Sequence, residues 1–511
     1  MRRVPISKRT LPDAQPEPLN ASLETVSFRY AAANTPAIKS IDIQVPAGQF
    51  VLLTGPSGGG KSTVLRLCNG LIPHYNDGEM TGQVRLETSK TSLDPQVAPL
   101  WETGGQVAMV FQNPRTQFYT TDSTSEIAFA LENRGIEPAV IRQRISTTAA
   151  EMEIEGLLGR SMFSFSGGEL QLIACASARV ATPRLYLFDE PTSNLSEEAI
   201  ESFSKVLADL KATGNTVLIA EHRLYFLEGL IDRALIIDGD VRADMSGTDF
   251  FAMNNDTRTS FGLRQLQRPQ IELSAEQVPL GSNAIPVPTV TVPRAQCPET
   301  DSPSGLALEA VRAKYGRRVV WDIANLFFSR GQVTAVTGSN GIGKSTLAAV
   351  ITGLKKAKGG TISLDGKVLS EKQRVHCSYL VMQDVHRQLF ADSVRAEITL
   401  GLERSGAAPL NDEAVDTLLK RFNLLQYADR HPLSLSGGQK QRLVIASAVA
   451  SQREVYVFDE PSSGLDRRHL EGVAAALREL ARENKVVILI THDPELINAC
   501  ADRHLQLTNG H

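Results

Sequence analysis

Gly55-Pro56-Ser57-Gly58-Gly59-Gly60-Lys61-Ser62-Thr63 follows an apolar run, Phe50 to Leu53, and precedes Val64, Leu65, Leu67 and Leu71 at helical spacing. Strand, glycine-rich loop and helix in that order form a phosphate-binding loop, G-x-x-x-x-G-K-[ST]. The glycines let backbone N–H groups close around phosphate oxygens, and the helix start adds partial positive charge. Lys61 is placed to reach β- and γ-phosphates, and the Ser62 hydroxyl to ligate Mg2+. A glycine-rich turn can match such a pattern by accident. This one returns at Gly338-Ser339-Asn340-Gly341-Ile342-Gly343-Lys344-Ser345-Thr346.

The chain of 511 residues is long enough for two to four domains. Its 42% hydrophobic and 22% charged residues are ordinary for a globular protein. A net charge of -4 gives no footprint for nucleic acid or an anionic membrane surface. Five scattered cysteines without C-x-x-C spacing imply neither a disulfide framework nor a zinc site, which fits a reducing cytoplasm. The basic N-terminus lacks the apolar stretch of a signal peptide, and no run reaches the roughly 20 apolar residues of a membrane span.

Residues 1–20 read as a loose, Pro-rich tail, and a first domain follows over 21–254. Prolines among Ser, Thr, Gln and Asn over 255–305 read as an interdomain linker, and 306–511 as a second domain. The second domain repeats the first. Lys61 and Lys344 are 283 apart, and Gln112 and Gln383 are 271 apart. Ser166/Ser436, Asp189/Asp459, Glu190/Glu460 and His222/His492 are each 270 apart. A constant offset across chemically distinct landmarks marks a tandem duplication, with about a dozen extra residues in the first copy before Gln112.

These landmarks resemble those of ATP-binding cassette (ABC) ATPase domains, over nearly everything except the tail and linker. The resemblance implies an α/β fold: two P-loop NTPase (RecA-like, ABC-type) domains in tandem, each with a helical subdomain and a small antiparallel β region. ATP and Mg2+ are the implied cofactors. Asp189 and Asp459 end apolar strands, where a carboxylate can hold Mg2+ directly or through water. Glu190 and Glu460, one residue on, are placed to orient and deprotonate the attacking water. A strand-end acidic pair can also face solvent, but each pair here has a phosphate loop upstream. By resemblance, His222 and His492 contact the γ-phosphate, and Gln112 and Gln383 touch Mg2+ or water and sense a membrane partner. Ser62 and Ser345 complete the metal set.

Phe165-Ser166-Gly167-Gly168-Glu169 and Leu435-Ser436-Gly437-Gly438-Gln439 resemble the family signature LSGGQ, each opening a helix as an anion site. In the family this site caps the γ-phosphate held by the opposite domain. Tyr30 and Tyr315 are candidates for stacking on adenine, with plain strand packing as the other reading. The first half departs from the pattern at Phe165, at Glu169 and at Ser196, where Asp466 stands in the second. By resemblance these departures face the nucleotide on Lys344, so the Lys61 site is expected to turn over faster.

Three assignments compete. Asn69-Gly70-Leu71-Ile72-Pro73-His74, Gln112-Asn113-Pro114-Arg115-Thr116-Gln117, Glu221-His222-Arg223 and Met382 to Phe390 resemble the ATPase of energy-coupling-factor (ECF) vitamin or metal importers. That resemblance implies two membrane partners, a transmembrane coupling protein and a substrate-binding membrane subunit, at the cytoplasmic face of the membrane, and no nucleic acid. A fused sugar- or peptide-importer ATPase is the second assignment, though sugar-type fusions tend to weaken the second site, and both halves here keep Lys, Asp, Glu and His. A twin-cassette translation factor is the third, but that class joins its halves with a long charged linker.

Overall fold

The computed structural model describes residues 17–31, 33–193, 195–280, 304–315, 318–339, 341–403, 410–435 and 437–509. The chain divides into two compact units, Met1–Arg268 and Pro269–His511. No helix among the described residues is long and apolar enough to cross a membrane.

In the first unit, β1 (Asn20–Tyr30), β2 (Ile38–Val45), β4 (Gly78–Glu87) and β5 (Ser92–Leu93) form an antiparallel sheet in the order β2-β1-β4-β5. A second sheet runs β10-β9-β3-β8-β7-β6, from β3 (Phe50–Thr54), β6 (Val107–Val110), β7 (Leu185–Asp189), β8 (Thr216–Ala220), β9 (Arg233–Ile237) and β10 (Val241–Ser246). All its neighbours are parallel except β10 against β9. Every residue of β3, β7 and β8 is buried. Continuous apolar runs of this kind suit a parallel sheet covered on both faces. One face packs on the helix Lys61–Cys68 and the antiparallel sheet, around Val51, Leu53, Val64 and Leu67. The other packs on the helix Gly167–Val180 and on Ser123–Asn133 and Pro138–Glu151, the helical subdomain.

The second unit repeats this plan. β12 (Gly305–Tyr315), β13 (Arg318–Ser329), β15 (Thr361–Leu364) and β16 (Lys367–Val368) make the antiparallel sheet, in the order β13-β12-β15-β16. The large sheet runs β11-β20-β14-β19-β18-β17, from β11 (Ala275–Leu280), β14 (Gln332–Gly338), β17 (Ser378–Val381), β18 (Val455–Asp459), β19 (Val486–Ile490) and β20 (Arg503–Asn509), parallel throughout. The helices Val394–Glu403 and Asp412–Arg421 form its helical subdomain.

The linker is shorter than the 255–305 expected. Asn255–Ser260 is a helix whose N-terminus is capped by the Asn254 side chain, and Leu263 and Leu266 are buried in the first unit's core. Ala275–Leu280 is an edge strand of the second unit's sheet, with Val278 and Leu280 buried. Pro279 obscured it in the sequence, yet an edge strand tolerates the missing N–H. The tail also ends earlier than expected, since Leu19 is buried ahead of β1. Residues 1–16 and 281–300 lie outside the described residues.

Candidate functional site

Each phosphate loop joins the central strand of the large sheet to the helix that follows. Gly60 and Gly343, at φ 103° and 107°, sit immediately before the helices Lys61–Cys68 and Lys344–Ile351. A Cβ at Gly60 would lie 2.4 Å from Ile38 Cγ2, and one at Gly343 would lie 2.6 Å from Trp321 Cδ1. Only glycine meets both the left-handed backbone and the close approach. Lys61 Nζ donates to the carbonyls of Gly55 (3.0 Å) and Pro56 (2.9 Å). Lys344 Nζ does the same to Gly338 (2.6 Å) and Ser339 (3.1 Å). Both ammonium groups therefore sit inside their own loops. Asn340 lies outside the described residues.

In the first unit the expected residues converge. Ser62 Oγ donates to Asp189 Oδ1 at 2.7 Å, and Gln112 Nε2 donates to Glu190 Oε2 at 2.7 Å. His222 Nε2 lies 3.4 Å from Glu190 Oε1 and 3.3 Å from both Lys61 Nζ and Ser57 Oγ. Burial and the neighbouring Glu190 push Asp189 up to about 6, against the Ser62 hydrogen bond. The Ser62 hydroxyl and the Asp189 carboxylate, side by side, are hard oxygen donors that suit Mg2+, whose charge would favour the ionised Asp189. Tyr30 places its hydroxyl 3.1 Å from Thr63 Oγ1 at the start of the loop's helix.

The second unit keeps the same residues in a different arrangement. Ser345 hydrogen-bonds Asp459, whose carboxyl is raised by desolvation. Glu460 Oε2 accepts from the Thr491 hydroxyl at 3.0 Å and the His492 N–H at 3.4 Å. Desolvation and then Asp459 push Glu460 up to about 7, against Thr491 and Lys344. Gln383 is exposed, and among the described hydrogen bonds none joins it to Glu460. The Tyr315 side chain lies outside the described residues.

Glu190 and Glu460 share a strained backbone, with φ of 45° and 52°. Their N–H groups donate to Ala220 O and Ile490 O, both at 2.8 Å, which fixes the turn after the strand. Non-glycine residues in this region cost about 1 kcal/mol or more and gather where geometry serves function.

At the first signature segment Ser166 caps the helix Gly167–Val180 in a reciprocal box: its hydroxyl accepts from Glu169 N–H, and Glu169 Oε2 accepts from Ser166 N–H. The Glu that departs from the family pattern thus completes a capping box. Arg160 joins both departures, 3.2 Å from Glu169 Oε1 and 4.7 Å above the Phe165 ring. A Cβ on Gly168 would approach Ala199 Cβ at 2.8 Å, so that glycine also permits close helix packing. In the second unit Gly437 and Gly438 open the helix Gly437–Ala450, and Ser436 lies outside the described residues. Ser196, where the family pattern has Asp, caps the following helix just as Asp466 caps Arg467–Arg482. The substitution therefore keeps the local backbone role.

Two supporting pairs escaped the sequence reading. Glu126 Oε2 accepts from the N–H groups of Tyr119 (3.0 Å) and Thr120 (2.8 Å), and Glu397 Oε2 from Phe390 and Ala391, both at 2.8 Å. Both carboxylates are buried, and each pins the chain leaving its glutamine loop. Their separation of 271, the same as between Gln112 and Gln383, is the signal that could have found them.

A family model described as ABC transporter matches residues 38–193 and 322–463. A Treponema denticola protein whose name contains the words ABC transporter ATP-binding protein is 38% identical over 490 residues, covering 96% of this chain and 95% of that protein. A Bacillus subtilis protein, YkoD, whose name refers to HMP/thiamine import, is 30% identical over 502 residues, covering 95% of this chain and 89% of that protein. Among solved structures, an RNase-L inhibitor superposes with a TM-score of 0.58 at 20% identity, covering 94% of this chain and 87% of that one. At that identity the likeness concerns the fold.

Proposed function

The chain belongs to the ABC transporter family, with two tandem ATPase cassettes, and from that premise we propose that it energises an ECF-type importer of a vitamin or metal ion. The observation that carries this reading is a twinned apolar surface beside each glutamine loop. Tyr119 and Phe390 are 80% and 70% exposed, and Phe163 and Leu433 are 78% and 52% exposed. They occupy equivalent positions, 271 and 270 residues apart. Large apolar side chains kept outward at matching places in both copies suit a partner that docks twice. The name of the B. subtilis relative supports import of a small molecule.

In this reading Lys61 and Lys344, with their loops, hold the triphosphates. Ser62, Asp189, Ser345 and Asp459, with Gln112 and Gln383, would hold Mg2+, which would supply neutralisation of phosphate charge when bound. Glu190 and Glu460 take the proton of the attacking water, and His222 and His492 meet the γ-phosphate. Ser166 to Gly168 and Ser436 to Gly438 offer further phosphate donors, and Tyr30 and Tyr315 stack on adenine. The partners are a transmembrane coupling protein and a substrate-binding membrane subunit, with the chain at the cytoplasmic face.

Purification of the tagged full chain from detergent-solubilised cells tests the reading. Two co-purifying membrane proteins, and uptake that fails when Lys61 and Lys344 are both replaced by Ala, are expected. Ribosomal proteins without membrane subunits would instead support a translation-factor role, and a membrane pair with a soluble sugar- or peptide-binding protein the fused importer.

A further inference from the structure

His222 Nε2 stands 3.3 Å from both Lys61 Nζ and Ser57 Oγ, and 3.4 Å from Glu190 Oε1. The residue lies beyond the end of β8, so the strand ladder does not hold it there. Glu221 does. Its N–H donates to Leu53 O at 3.1 Å, and its carbonyl accepts from the Thr54 hydroxyl at 3.0 Å. The Glu221 backbone is thereby fastened to the end of β3, where the phosphate loop begins.

The Glu221 side chain reaches the other way, and the residue is 2% exposed. Oε2 accepts from the Thr192 N–H (3.2 Å) and hydroxyl (2.7 Å), in the turn that follows Glu190. Oε1 accepts from the N–H groups of His222 (2.7 Å) and Arg223 (3.0 Å). Buried Arg223 adds a second bridge, from Nη1 to the Leu195 carbonyl at 3.4 Å. Four donors on one buried carboxylate offset its desolvation and fix its orientation. The second unit has Thr491 and Asp493 at the places of Glu221 and Arg223, so the shared fold does not itself require this brace.

We propose that Glu221 is a positioning residue of the first unit. With Arg223 beside it, its carboxylate holds the His222 turn between the phosphate-loop strand and the segment after Glu190, so that the imidazole meets the γ-phosphate from one set position. The proposal rests on reading His222 as the γ-phosphate contact. A displacement of about 1 Å at such a group can cost about a hundredfold in rate.

The test uses the full chain carrying Glu460→Gln, so that turnover of MgATP reports on the first unit. Glu221→Gln keeps the size and turns one acceptor oxygen into an NH2 that faces donors. It is expected to lower kcat about tenfold or more, with KM for ATP changed less than about twofold. A residue that acts through His222 loses its effect once the imidazole is gone, so Glu221→Gln/His222→Ala is expected to match His222→Ala alone. A merely structural role would make the two losses multiply. An unchanged kcat for Glu221→Gln, a loss confined to KM, or a further fall in the double variant overturns the proposal. Should Glu221→Gln fail to fold, Thr192→Val, which removes one donor, is read in the same way. A His222→Ala chain as fast as its parent would refute the reading of His222, and the proposal with it, whereas the other failures leave that reading standing.

Discussion

Gln112 Nε2 donates to Glu190 Oε2 at 2.7 Å, tying the glutamine loop of the first unit to the residue that follows its aspartate strand. Any movement of that loop therefore moves the carboxylate. The equivalent Gln383 is exposed, and Glu460 has its hydrogen bonds from Thr491 and His492.

Replacing Gln112 with Ala should lower ATP turnover about tenfold while nucleotide affinity changes little, because a hydrogen bond to a charged group is worth about 1.5–3 kcal/mol. Gln383→Ala should cost much less. Steady-state ATPase rates beside fluorescent-nucleotide titrations compare the two, and equal losses would speak against the asymmetry.

Glu190→Gln should reduce total ATPase activity more than Glu460→Gln. The first carboxylate stands among Gln112, His222 and Lys61 within one hydrogen-bonded group, and the second is drawn to Thr491. Matching rates for the two variants would discard the expectation of unequal sites.

Glu460 supplies a pH dependence of stability. Its folded pKa, about 7, lies above the 4.5 of the free side chain, so the folded chain binds that proton more tightly. Stability therefore falls as pH rises through this window, and the cost is complete above about 7. Glu460→Gln should raise the melting temperature of the nucleotide-free chain more at about pH 8 than at about pH 4.5. Calorimetric scans at both pH values decide it, and equal shifts would count against the sign.

Arg330 Nη1 donates to Glu454 Oε2 at 2.6 Å and Nη2 to Asp365 Oδ2 at 2.8 Å, joining the β15–β16 turn to the start of β18. Lys485 Nζ also reaches Glu454, at 2.8 Å. The Arg330 hydrogen bond holds Asp365 below its ordinary value, and against desolvation Lys485 and Arg330 hold Glu454 low. Carboxylates held low stabilise the fold above their unfolded values, and that stability is lost as pH falls through the folded ones. Arg330→Ala should cost about 1 kcal/mol at neutral pH, a figure kept small by the exposure of both carboxylates, and should flatten the acid limb of a denaturant-midpoint series.

A smaller effect is expected at the first signature helix. Glu169→Ala removes one arm of the capping box and the Arg160 ion pair, and should cost about 1 kcal/mol. Glu169→Gln keeps an acceptor for the Ser166 N–H and should cost less, measured by thermal unfolding.

The sequence by itself determined the duplication, both phosphate loops and the strand-end Asp-Glu pairs. These features are local: a loop that closes on phosphate needs its glycines, lysine and hydroxyl within nine consecutive residues, and a buried parallel strand needs an unbroken apolar run. Spacing also carried the equivalence of Ser166 with Ser436 and His222 with His492, because two copies of one fold preserve intervals even where composition drifts.

Tertiary structure alone decided the partners of those groups. Gln112 and Glu190 are 78 residues apart and Thr491 and Glu460 are 31 apart, and no periodicity tells which donor a carboxylate will meet. The edge strand Ala275–Leu280 was hidden for the same reason, since a proline-bearing segment becomes a strand only when β20 offers it a ladder. Arg160 likewise binds Phe165 and Glu169 together once the helix start brings both within its reach. Residue types set what each side chain can donate or accept, and the folded backbone sets which of those bonds forms.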